Sequence, residues 1–162
     1  EYLICAELAK GGRLLPWVDR DAFQKKVLET QLEWERDIPS ERKIAFSDRG
    51  IPDGIGFYRA DGLEPPEELL EAAREADYEL VFYLDYLKEY QNTSIRRESL
   101  ANAKRIHEEI KRAYEDLGYP LVLVPALPLN ERVNFVLSHA SKEEGVWKRE
   151  GIRAGVLESC AG

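Results

Sequence analysis

Apolar residues along this chain recur in two distinct rhythms. Phe23, Val27, Leu28, Leu32 and Trp34 are spaced among charges at close to a helical period, which predicts a helix over 22–36 with Asp19 as its cap and Pro39 beyond its end. Leu100, Ala103, Ile106, Ile110, Ala113, Tyr114 and Leu117 keep the same period until Gly118, and predict the strongest helix of the chain. Weaker patterns predict a helix from Tyr2 to Ala9 stopped by Gly11-Gly12, and an acidic helix after Pro65-Pro66 that runs to about Glu75. A short helix or turn carries Phe57 and Tyr58 to Asp61-Gly62, and a last helix from about Asn130 carries Val133, Val136 and Leu137. Between these lie continuous apolar runs too short for helices: Ile44–Ser47, Leu80–Leu84 and Leu121–Val124. Runs apolar on both faces suit parallel strands covered from each side.

Three strands alternating with helices predict a three-layer α/β domain, a parallel sheet with helices on both faces. That domain spans residues 1–140, and the charge runs Lys142-Glu143-Glu144 and Lys148-Arg149-Glu150 mark 141–162 as a tail. Lys88 to Ile95 reads as a loop. A chain of 162 residues with 44% apolar content supplies one core. Its net charge of -8 argues against general nucleic-acid binding and against an anionic membrane surface. No apolar run approaches the roughly 20 residues that cross a bilayer. Cys5 and Cys160 match neither a disulfide framework nor a metal-ligand spacing, so a reducing, cytoplasmic setting is expected. The chain has no methionine and opens on what reads as a helix interior, which leads us to expect that the natural product begins earlier.

The candidate chemistry sits where apolar runs end. Ile44-Ala45-Phe46-Ser47 delivers Asp48 and Arg49 into the glycine-flanked turn Gly50-Ile51-Pro52-Asp53-Gly54, and the second run ends in Asp85. Ligands of open α/β sheets bind outside the carboxyl ends of the strands, where these residues lie. Asp48 and Arg49 also admit a plain reading as a charge pair ending a strand, and Asp53 as the cap of the next helix. His107 lies at the edge of its helix's apolar stripe and reads as a packed or surface side chain. Trp17, Trp34 and Trp147 read as core or partner-facing aromatics.

Phe46-Ser47-Asp48-Arg49-Gly50-Ile51-Pro52-Asp53, Tyr83-Leu84-Asp85, Ile95-Arg96-Arg97-Glu98, Tyr114 to Tyr119, Val122-Leu123-Val124-Pro125 and Glu131-Arg132-Val133 follow one another in a telling order. Together they resemble the small AAA-type P-loop ATPase domains related to NadR-like ribosylnicotinamide kinases. The resemblance implies binding of ATP or GTP with Mg2+, followed by hydrolysis or phosphoryl transfer to a small acceptor. It makes Asp48 the Walker B type carboxylate that manages the magnesium ion, directly or through water. Arg96 and Arg97 look like the lid arginines that neutralise charge on the transferred phosphoryl group; adjacent side chains diverge, so one of the two is expected to face the phosphates, and the family pattern favours Arg96. Pro125 and Ala126, with Arg132 close by, would flank the base. Arg49, Asp53, Tyr58 and Arg59, beside Phe57, would line the acceptor.

The chain departs from that family in one respect. A phosphate loop needs the pattern G-x-x-x-x-G-K-[ST], whose backbone amides cradle the phosphates, and no such pattern occurs here. In kinases of this type the strand feeding that loop lies between the Asp48 and Asp85 strands, so the resemblance implies a strand, phosphate loop, helix and strand ahead of Glu1. The competing expectation is a catalytically inactive module of the same scaffold that engages a protein partner.

Overall fold

The computed structural model describes residues 2–39, 44–86 and 99–143. Among them lie six helices and two strands: α1 (Tyr2–Ala9), α2 (Arg20–Arg36), α3 (Pro52–Ala60), α4 (Glu67–Glu75), β1 (Val81–Leu84), α5 (Leu100–Asp116), β2 (Leu121–Val124) and α6 (Leu129–Glu143). The predicted loop at Lys88 to Ile95, together with Arg96, Arg97, Trp147 and Cys160, lies outside the described residues.

Local signals place most boundaries. The Asp19 carboxylate accepts the Ala22 amide at 3.0 Å and caps α2, as expected. Gly118, at φ +79, follows α5 in the left-handed region that only glycine enters cheaply. Pro66 precedes α4, whose first turn holds Glu67 and Glu68 and whose last turn holds Arg74, in accord with the helix dipole. α6 continues through Ser141 to Glu143, past the tail boundary that the charge pattern suggested.

The sheet corrects one expectation. β1 and β2 pair in parallel, Val81 opposite Leu121 through Leu84 opposite Val124, and they form a two-stranded sheet. Ile44–Ser47 is irregular, and Phe46 is exposed. A strand exists only as part of a ladder, and no described strand pairs with this segment. Nor are the two strands covered evenly on both faces, since Leu84 and Leu123 are exposed.

The core sits elsewhere, around α3. Ile51, Ile55 and Tyr58 pack with Leu28 of α2, Leu69 and Ala73 of α4 and Ala113 of α5. Two glycines let α3 approach its neighbours closely. A Cβ on Gly56 would lie 2.6 Å from the Cα and the amide nitrogen of Ile110, so α5 crosses against bare backbone. His107 is half-buried on α5 between Tyr83, at 4.2 Å between ring centres, and Tyr86, at 4.4 Å. It is a packed side chain, and burial lowers its pKa.

Candidate functional site

The turn between Ser47 and Gly54 is built by several elements at once. The Ser47 hydroxyl donates to the Arg49 carbonyl at 2.6 Å, and the Gln31 amide of α2 reaches the same carbonyl at 3.4 Å. The Asp53 and Gly54 amides fold back on the Gly50 and Ile51 carbonyls, each at 3.1 Å, and so begin α3. Gly50 is buried against two tyrosines: a Cβ there would lie 2.4 Å from the Tyr114 hydroxyl and 3.0 Å from the Tyr78 ring.

Arg49 and Asp48 do not form the charge pair that their adjacency suggested. Arg49 donates to Asp53 Oδ2 at 3.0 Å, four residues on, and its guanidinium carbon stands 5.3 Å from the centre of the Phe57 ring. The Asp48 side chain is exposed and makes no ion pair with any described residue. Asp53 does not cap α3 through its side chain either. Ile51 occupies the cap position, while the Asp53 carboxylate takes the Tyr114 hydroxyl on its other oxygen at 2.8 Å. Burial pushes the Asp53 carboxyl above the usual range, against the opposing pull of Arg49 and of the Tyr114 hydroxyl.

Among the acceptor candidates, Arg49, Asp53 and Phe57 therefore come together, and the other two turn away. Tyr58 is buried and donates to Asp21 of α2 at 2.7 Å. Arg59 donates to Asp116, at the end of α5, at 2.7 Å. On the opposite side, Pro125 and Ala126 are exposed after β2. Arg132 of α6 borders an open apolar groove of about 260 Å³ with Phe46, Leu84, Val124, Val133 and Leu137. Phe46, Leu84 and Val124 each sit one or two residues ahead of Asp48, Asp85 or Pro125, so the groove lies at the carboxyl ends of both strands and of the Ile44–Ser47 segment. The Arg132 Nε is buried and has no hydrogen-bond partner among the described residues. A buried donor without an acceptor is costly.

Residues that the sequence reading left without a role hold this turn in place. Tyr78 accepts the Ile51 amide at 2.9 Å and donates to Glu35 of α2 at 2.6 Å. Their only signal in the sequence is a hydroxyl-bearing aromatic beside a core, because a buried tyrosine normally finds a partner for its oxygen. Burial raises the Glu35 carboxyl above its ordinary value, and the Tyr78 hydroxyl offsets this in part. From 4.5, the ordinary value, up to the higher native one, the folded chain binds more protons than the unfolded chain, so this group makes stability fall as pH rises. Glu35→Gln keeps an acceptor for Tyr78 and removes the titration. Its urea midpoint is expected to fall less than that of the wild type between about pH 5 and 7, and equal slopes would count against the assignment.

No group of three or more His, Cys, Asp or Glu side chains among the described residues could hold a metal ion. No helix among them is long and apolar enough to cross a membrane. Open α/β arrangements bind ligands at the carboxyl ends of their strands, the end at which the groove bordered by Arg132 lies. Residues 3–132 match the AAA domain family, and the chain belongs to that family. Membership implies a P-loop NTPase type of fold and nucleotide binding. No curated protein and no solved structure shows a significant match to the chain.

Proposed function

We propose that this protein binds Mg-ATP or Mg-GTP on a three-layer P-loop scaffold and hydrolyses it or transfers its terminal phosphoryl group to a small acceptor. The observation that supports this most directly is the groove at the carboxyl ends of β1, β2 and the Ile44–Ser47 segment, bordered by a buried guanidinium nitrogen that has no acceptor among the described residues. Magnesium in such sites takes one or two carboxylates and fills its other positions with water and phosphate oxygens, so the lack of a larger acidic cluster is compatible with it. Asp48, exposed and unpaired with any described residue, fits that need. Arg132 would offer its orphaned donor to the base beside Pro125 and Ala126. Arg49, Asp53, Tyr58 and Arg59 carry the acceptor proposal; Arg49 and Asp53 hold each other in the structure, and Tyr58 and Arg59 would act by shaping the wall behind them. Arg96 and Arg97 would answer the charge on the transferred group. The bound magnesium ion would supply charge neutralisation at the phosphates.

One observation favours a second reading, an inactive module with a protein partner: Phe46, Leu84, Leu129, Val133 and Leu137 are large apolar side chains exposed around that groove. Calorimetric titration of the protein as its gene encodes it separates the two. Saturable nucleotide heat that requires Mg2+ and weakens at least about tenfold in Asp48→Asn is expected, the cost of losing one hydrogen bond or metal contact to a charged group. No heat with either nucleotide would replace this proposal with the interaction module.

A further inference from the structure

Beneath the Asp48–Arg49 turn lies a layer of three tyrosines whose hydroxyls all point to backbone or to carboxylates. Tyr78 and Tyr114 each stand close to Tyr119, at 5.6 Å and 5.7 Å between ring centres. The Tyr119 hydroxyl donates to the Ala76 carbonyl, which fixes the ring between the other two. Gly50 lies against the Tyr78 ring and the Tyr114 hydroxyl, and Ile51, only 1% exposed, donates its amide to the Tyr78 oxygen. The Tyr78 hydroxyl donates to Glu35, and the Tyr114 hydroxyl donates to Asp53, whose second oxygen accepts from Arg49.

These contacts form two chains. One runs from the Ile51 backbone through Tyr78 to Glu35 on α2. The other runs from Arg49 through Asp53 to Tyr114 on α5. Each ends on a different helix, so the turn is anchored from two sides, and Asp48 sits just before the anchored residues. We propose that Tyr78 and Tyr114 are positioning residues, whose hydroxyls fix the backbone at Gly50 and Ile51 and the side chain of Arg49, and thereby set where Asp48 presents its carboxylate. This rests on the reading that Asp48 meets a magnesium nucleotide. Burial raises the ionisation range of both phenols, so the hydroxyls keep their protons and remain donors to the carboxylates at physiological pH.

Neither tyrosine could serve this way through its ring alone, and Tyr→Phe substitution isolates the hydroxyl. Tyr78→Phe leaves the Ile51 amide and Glu35 without their shared partner; Tyr114→Phe leaves Asp53 with Arg49 only. Because Tyr78→Phe strands a carboxyl, the double variant Tyr78→Phe/Glu35→Gln is made beside it, so that loss of folding is not mistaken for loss of position. Two readouts on the full-length protein decide the matter: amide hydrogen exchange at Gly50 and Ile51, and the Mg2+ concentration that gives half-maximal ATP binding.

Exchange at Gly50 and Ile51 is expected to quicken by about tenfold in the single variants while amides in the middle of α5 keep their wild-type protection. The half-saturating Mg2+ is expected to rise by about tenfold, the effect of one lost hydrogen bond to a charged group. Faster exchange with unmoved Mg2+ dependence makes the hydroxyls structural only and overturns the proposal. Unmoved exchange overturns it as well. A wild-type protein that binds no nucleotide with Mg2+ overturns the nucleotide reading, and with it the role of these hydroxyls toward a metal site.

Discussion

Gly56→Ala is expected to cost this fold about 2 kcal/mol or more, although alanine is the better helix former by about 1 kcal/mol. The added Cβ would lie 2.5 Å from Ile110 Cγ1 and 2.6 Å from the Ile110 Cα and amide nitrogen. Backbone atoms cannot rotate away. The clash is relieved only by moving α3 and α5 apart, which opens the packing of Ile51, Ile55, Tyr58 and Ala113. Overpacking typically costs about 1–3 kcal/mol and more where, as here, the neighbour is backbone that cannot yield, and a domain of this size has only about 5–15 kcal/mol to lose. Gly54→Ala provides the internal contrast. There the new Cβ meets Leu69 Cδ1 at 3.0 Å and Cδ2 at 3.1 Å, the far end of a side chain rather than backbone, so a small rotation of one group relieves it. Its cost is expected to fall within about 1 kcal/mol of zero, because the gain in helix propensity offsets the small adjustment. Urea unfolding of the two variants under one condition checks both statements. Equal losses would show that the backbone contact with Ile110 is not what fixes the crossing of α3 and α5.

Gly56 also shows why part of this fold could be read from the sequence and part could not. α2 and α5 announce themselves because their signals are local: a repeated apolar position, Asp19 at one end, Gly118 at another. β1 and β2 were legible as short apolar runs, and Asp85 continues their pairing through its amide to the Val124 carbonyl at 2.9 Å. Ile44–Ser47 has the same composition and is not a strand, because apolarity says that a segment can be buried and does not supply the neighbouring backbone that a ladder needs. α3 was legible only as a short helix or turn. Its glycines carry no periodic signal, yet Gly54 faces Leu69 of α4 and Gly56 faces Ile110 of α5, 54 positions on.

The candidate site divides the same way. Asp48 and Arg49 were conspicuous because a charge pair after an apolar run is a local pattern. That Arg49 turns to Asp53 rather than to Asp48 was not legible, because Arg49 lies in the irregular turn ahead of α3 and only the fold of that turn brings the two together. Tyr78 lies in the irregular stretch before β1, and its bonds to Ile51 and Glu35 join residues 27 and 43 positions away. No periodicity encodes such a bond. Tyr114 was visible only as one more apolar position of a helical stripe, and its hydroxyl reaches Asp53 across 61 positions. The candidate groups that face outward were therefore easier to find than the side chains that hold their turn in place.

Arg96→Ala is expected to lower turnover with Mg-ATP by about 10³-fold or more, the range in which an arginine that meets charge on a transferred phosphoryl group operates. Arg97→Ala is expected to do far less. Both arginines lie outside the described residues, which resume at Ser99, the cap of α5. Consecutive side chains diverge whether the backbone there is extended or helical, so one phosphoryl group can be met by only one of the two. A group that acts only as charge develops lowers kcat and kcat/KM together and leaves the binding of ATP nearly unchanged. Steady-state kinetics of the two variants, made in the protein as its gene encodes it, therefore distinguish three cases. Loss in Arg96→Ala alone, with affinity kept, supports phosphoryl chemistry with Arg96 in that role. The same loss in Arg97→Ala instead transfers the role to its neighbour. Unchanged turnover in both removes the arginine pair from the mechanism and leaves Asp48 and its anchored turn as the part of the site still to be tested by magnesium dependence.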